Sequence, residues 1–161
     1  MIRNAEVTDV PVIHAMVREL AEYEKVPHEA RATEQQLREA LFGDRPAVFA
    51  HIAETDDGEA VGFSVWFLSF STWRGVHGIY LEDLYVRPGA RGGGHGKALL
   101  AELARTCVER GYERLEWSVL RWNAPTIAFY EALGARPQEE WSVYRLTDGP
   151  LTELGSAAVA R

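Results

Sequence analysis

Cysteine is almost absent from this chain: Cys107 is the only one in 161 residues. No disulfide can form within the chain, a reducing cytoplasm fits, and Cys107 reads as a small apolar filler on a helix. No apolar run approaches the roughly 18 residues that cross a bilayer, so no membrane span is expected. The opening residues MIRNAEVTDV lack the charged-then-apolar order of a secretion signal. Positive charge is also scarce. Seventeen Lys and Arg stand against twenty-four Asp and Glu, a net charge of −7. That balance argues against a nucleic-acid-binding face and suits a cationic ligand. The five histidines, at 14, 28, 51, 77 and 95, show no ligand spacing and no cysteine cluster accompanies them, so no metal is expected.

What remains is an ordinary apolar fraction of 47% with 25% charged residues, enough for one α/β domain spanning 1–161. IRNAEV reads as a first strand. Thr8 or Asp9 can cap a helix with Pro11 in its first turn, and Val12, Ile13, Met16, Val17 and Leu20 follow at helical spacing. Thr33 and Gln36 stand at capping-box spacing and open a second helix. AVFAHIAET and EAVGFSVWFLSF, separated by DDG, form a hairpin, and GIYLEDLYV is a further strand. A helix then runs to Gly111, RLEWSVL is a strand, NAPTIAFYEALG is a helix between a capping Asn123 and Gly134, and WSVYRL is a last strand. The tail from about Thr147 is weakly patterned and expected to be weakly ordered. The order predicts a mixed sheet with helices on both faces.

Five glycines fall between Gly89 and Gly96, directly between the YLEDLYV strand and the helix after it. A strand, a glycine loop and a helix start make an anion cradle: the first-turn N–H groups are unpaired and the helix dipole adds positive charge. Glycine lets the backbone come close to a phosphate. Two phosphate patterns fail here. Gly96-Lys97 is followed by Ala98 rather than Ser or Thr, and no third glycine completes G-x-G-x-x-G from Gly92 or Gly94. Arg91-x-x-Gly94-x-Gly96 remains.

That signature, Arg91-Gly92-Gly93-Gly94-His95-Gly96 after LYVRP, resembles the acetyl-CoA pyrophosphate loop of the GNAT N-acetyltransferases. WNAPTIAFYEALGA, 122–135, is similar to the second cofactor-side element of that family. The resemblance covers roughly residues 2 to 146. It implies a single-domain fold with a mixed, mostly antiparallel sheet of six to seven strands, acetyl-CoA as donor, a homodimer, and direct transfer to an amine in a ternary complex. It implies cofactor contacts at Leu84, Tyr85, Val86, Arg91, Gly92, Gly93, Gly94, His95, Gly96, Lys97, Asn123, Pro125, Thr126 and Tyr130.

Acetyl transfer to an amine needs a deprotonated nucleophile, donors for the carbonyl oxygen and a proton for the leaving thiolate. Glu82 and Asp83 are adjacent carboxylates in an apolar strand, which alternation sends to opposite faces. By resemblance Glu82 is the base, Asp83 binds the cationic substrate, and Tyr130 protonates the sulfur. YLEDLYV, STWRG and LAEYEK together are similar to the spermidine/spermine acetyltransferases and their thialysine-acetylating branch. That places Tyr23, Glu24, Trp73, Glu82, Trp117 and one of Glu139 and Glu140 around the amine. Ser71-Thr72-Trp73 matches the thialysine-type branch, which favours a short amine over spermidine and spermine. Protein N-terminal or lysine acetylation and a non-catalytic acyl-CoA-binding module are the alternatives.

Overall fold

The structure is a computed structural model that describes residues 1–157 and divides into two compact units, 1–120 and 121–161. The first unit carries β1 (Ile2–Asn4), α1 (Val10–Tyr23), α2 (Glu34–Phe42), β2 (Phe49–Glu54), β3 (Ala60–Ser71), β4 (Val76–Val86), α3 (His95–Arg110) and β5 (Leu115–Trp117). Its sheet runs β1-β2-β3-β4-β5, antiparallel except for the parallel β4–β5 pair, so a mixed and mostly antiparallel sheet is present. No helix of the described residues is long and apolar enough to cross a membrane.

Alternation along β2 and β3 builds two apolar faces from one sheet. Ala50, Ile52, Phe63 and Val65 pack with Ile13, Met16 and Leu20 of α1 and Leu41 of α2. The residues between them, including His51, Ser64 and Trp66, turn to the other face, where α3 buries Leu99, Leu100 and Leu103. Burying each such Leu or Ile contributes about 2 kcal/mol, which is what holds these amphipathic helices on the sheet.

The helix boundaries follow their local signals. Thr33 accepts from the Gln36 amide at 3.1 Å while the Gln36 side chain accepts from the Thr33 amide at 2.9 Å, the reciprocal box that starts α2. Gly111 ends α3 at φ 71° and Gly134 follows α4 at φ 96°. At α1 the flanking Asp9 makes no capping bond. Its carboxylate instead takes Arg3 at 2.7 and 2.9 Å and the Glu6 amide at 2.7 Å.

The second unit holds α4 (Ala124–Ala132) and α5 (Asp148–Ser156). Two expectations are corrected. The described residues form five strands, not six to seven, because WSVYRL is not a strand: Trp141, Val143 and Tyr144 are exposed. Alternation favours a strand only where a ladder partner exists, and this unit contains none. RLEWSVL shrinks to Leu115–Trp117 because β4 offers a parallel partner only from Ile79 to Leu81. The tail from Thr147 carries α5, and residues 158–161 lie outside the described residues.

Candidate active site

Where β4 leaves β5, its pairing with β3 slips by one residue. Leu81 stands opposite Trp66 and Asp83 opposite Val65, so Glu82 is an extra residue without a cross-strand partner. This is a β-bulge, which bends a strand and re-aims its side chains. It also decides which face of the sheet Asp83 takes. Strict alternation would place Asp83 with Leu81 on the α3 side; the slip carries Asp83 to the Val65 side, which is the face of α1. Glu82 is exposed at the bulge.

Beyond Leu81 no strand among the described residues pairs with the outer edge of β4. Leu84, Tyr85 and Val86 pair with Ser64, Phe63 and Gly62 on one side, and their other side is the open edge expected near an acyl site. The Tyr85 side chain is buried against Phe63, so what this residue offers a ligand is backbone.

Asp83 is half-buried, and its carboxyl is pushed up to about 7, first by loss of solvent and then by the charges of Glu82 and Glu24. Glu24 caps the C-terminus of α1, directly after Tyr23, and burial raises its carboxyl too. Glu24, Glu82 and Asp83 therefore share one electrostatic neighbourhood, made by the end of one helix and a bulge in one strand. Trp117 is half-buried opposite Leu81 at the end of β5. Trp73 is elsewhere: it is 91% exposed at the β3–β4 turn, six residues along β4 from the bulge at the Val76 end. Six residues of strand amount to about 20 Å.

The glycine loop ends on α3. Gly92 and Gly94 have φ 84° and 82°, the left-handed region that glycine reaches without strain, and a Cβ on either would meet nothing within 4 Å. The chain thus uses these glycines for backbone direction, with open space above them. Gly94 is the flanking residue of α3 and no side chain caps the helix, so the first-turn amides at His95, Gly96 and Lys97 remain for a ligand. A cleft of about 630 Å³ beside the loop is lined by residues including Val61, Arg87, Arg91, Gly93 and His95. These features fit a pyrophosphate.

In the second unit Asn123 is buried just before α4, yet its side chain makes no capping bond, in contrast to the sequence expectation. Pro125 and Thr126 lie in the first turn. Tyr130 lies in the second half of α4 beside Phe129, with ring centroids 5.5 Å apart. Glu139 and Glu140 are exposed in the segment after it.

Sequence reasoning missed Glu19 and Arg87. Arg87 donates from Nε and Nη2 to the Glu19 carboxylate at 3.0–3.3 Å and ties the end of β4 to α1. Nothing in the sequence pairs two residues 68 positions apart.

An open strand edge beside a carboxylate-bearing bulge, followed by a glycine loop at a helix start, is an arrangement that fits an acyl-CoA-dependent transferase. The chain belongs to the acetyltransferase (GNAT) family, whose model matches residues 13–135. It is an acetyl-CoA-dependent N-acetyltransferase. It is 37% identical to the thialysine N-epsilon-acetyltransferase of Bos taurus over 96% of both chains. It is 31% identical to the L-ornithine N5-acetyltransferase of Arabidopsis thaliana, over 95% of this chain and 86% of that one. Among solved structures, an integron cassette protein from the mobile metagenome of V. cholerae superposes with a TM-score of 0.81 at 26% identity, covering 98% of each chain.

Proposed function

We propose that this enzyme acetylates the primary amine of a small cationic metabolite such as thialysine, a lysine-like amino acid, a diamine or a polyamine. The observation that carries the reading is the carboxylate group of Glu24, Glu82 and Asp83 around the bulge. Burial and the charges of Glu82 and Glu24 raise the Asp83 carboxyl. An alkylammonium supplies an opposite charge to this group. The similarity to thialysine and ornithine acetyltransferases supports the same class.

Acetyl-CoA supplies the activated acetyl group. Backbone amides of 92–97 hold its pyrophosphate and the open edge at Leu84–Val86 receives the acyl arm. Glu82, exposed at the bulge, takes the ammonium proton directly or through water, and Asp83 with Glu24 holds the cation. Attack is direct, since Cys107 is buried mid-helix and its thiol is pushed up by burial, the wrong direction for an acyl-accepting thiolate. Tyr130 as the acid, Asn123, Pro125 and Thr126 as cofactor contacts, Tyr23, Trp73, Trp117 and Glu139 as pocket residues, and the working of all 161 residues as one domain rest on the family resemblance. So does the homodimer.

Thiol release from acetyl-CoA with thialysine, lysine, ornithine, putrescine, spermidine and spermine tests the reading. Turnover highest on a short cationic amine is expected. Turnover on peptide N-termini with none on the free amines would overturn it.

A further inference from the structure

Arg91 opens the glycine loop, and its guanidinium makes contacts within the chain. Nε donates to the Val86 carbonyl at 2.9 Å. The guanidinium carbon stands 5.0 Å from the centroid of the Tyr23 ring and 5.7 Å from that of Tyr85, inside cation–π range of both. Tyr23 is the last residue of α1, and Glu24 follows it.

A second contact runs parallel to this one. Arg87, four residues earlier, grips Glu19. Glu19 and Tyr23 are four apart on α1 and so lie on one face, one above the other. Two arginines of the segment leading into the loop therefore hold two successive turns of a single helix. That helix ends in the carboxylate of the amine pocket. A stacked guanidinium uses its face for the rings and keeps its in-plane N–H donors. With Nε committed to Val86, the Nη groups remain for an anion on the loop. One side chain can thus serve the cofactor through its edge and α1 through its face.

We propose that Arg91 and Tyr23 couple the two substrate sites: cofactor bound on the glycine loop fixes Arg91, Arg91 fixes the end of α1, and the amine then binds an ordered Tyr23–Glu24 wall. Coupling of this kind needs no displacement. The first ligand removes freedom that the second would otherwise have to remove. It is reciprocal by linkage, so the amine tightens the cofactor by the same factor. Arg91 and Tyr23 act here as positioning residues. The inference rests on the amine reading above, because it needs Glu24 in the amine pocket.

The test is a binding cycle by calorimetry on the full chain, with coenzyme A and thialysine, each titrated alone and in the presence of the other. In the unaltered protein each ligand is expected to tighten the other by at least about fivefold. Tyr23→Leu should bring that factor near one while affinity for coenzyme A alone stays within about twofold. Tyr23→Phe, which keeps the ring, should retain the coupling. Arg91→Lys, which keeps the charge but loses the planar stack, should lose it. Coupling that survives Tyr23→Leu, or a factor near one in the unaltered protein, overturns the proposal while leaving the enzyme reading intact. Binding of coenzyme A without thialysine or any other small amine overturns the amine reading, and this inference falls with it.

Discussion

Val65 of β3 stands directly opposite Asp83 of β4, and the next pair along passes over Glu82. One inserted position thereby separates two neighbouring carboxylates into an exposed group and a half-buried one facing α1. The chemistry proposed for each follows from that difference, and so do the first two predictions.

Asp83 should make stability depend on pH in the unusual direction for a carboxylate. Its folded value is raised to about 7, whereas an unfolded aspartate titrates near 3.8. Between those values the folded chain keeps a proton that the unfolded chain has lost, so this contribution to stability fades as pH rises from about 4 to 7. Solvent screening reduces it to on the order of 2 kcal/mol. Urea melts at pH 5 and pH 8 should show a loss in the unaltered protein that Asp83→Asn lacks. Parallel losses in the two proteins would remove Asp83 as the source.

Glu82→Gln should leave folding intact, because the side chain is exposed at the bulge and has no cross-strand partner. Turnover should fall by on the order of 100-fold or more at neutral pH, as expected when a positioned base is lost. An unchanged profile of kcat against pH would exclude Glu82 as the proton acceptor.

Gly94→Ala and Gly94→Val separate strain from access. The added Cβ meets no neighbour within 4 Å, but both residues must adopt φ near 82°. The strain alone is about 1–2 kcal/mol. Affinity for coenzyme A should fall further with Val than with Ala, because the larger group fills the space above the loop. Affinity equal to that of the unaltered protein in both variants would refute the cradle.

Arg3 bridges Asp9 at 2.7 Å and Glu54 at 2.6 Å, both with mostly buried carboxylates. Arg3→Ala strands both, at a cost of about 3 kcal/mol in thermal or urea melts. Arg3 also holds the Asp9 carboxyl below its usual range. That contribution is present above about pH 4 and disappears as pH falls through the lowered value. Acid unfolding should therefore begin at higher pH in Arg3→Ala, and an unchanged acid midpoint would count against the bridge.

His51 lies buried beside Trp66, with ring centroids 5.8 Å apart. Its Nδ1, the Ser64 hydroxyl and the Trp66 indole nitrogen are buried with no hydrogen-bond partner among the described residues. Desolvation lowers the His51 value below its usual 6.5. The unfolded chain then takes up the proton first as pH drops, and stability declines below about 6.5. His51→Leu should flatten this decline between pH 6.5 and 5; a slope identical to that of the unaltered protein would contradict it.

Much of the element order, the α2 capping box, the Gly111 stop and the glycine loop that leads into α3 were legible in the sequence. Each depends on residues within a few positions of one another, where backbone preference and hydrophobic period act directly. The spacing of Arg91, Gly94 and Gly96 is enough to reject two other phosphate loops. WSVYRL failed because alternation states what a strand would bury and not whether a partner exists. The face that Asp83 takes was not legible for a related reason. A bulge is a property of the β3–β4 pairing, and YLEDLYV alone carries no mark of the skipped residue.

The glycine loop before α3, the family and the residue types able to move a proton all follow from the order of the residues. Tertiary structure alone decided that Glu24 shares the field of Asp83, that Arg87 holds Glu19, and that Arg91 turns toward Tyr23. These are contacts across 59 to 68 positions of chain, and their strength comes from desolvation and distance, which exist only once the end of α1 is packed beside β4.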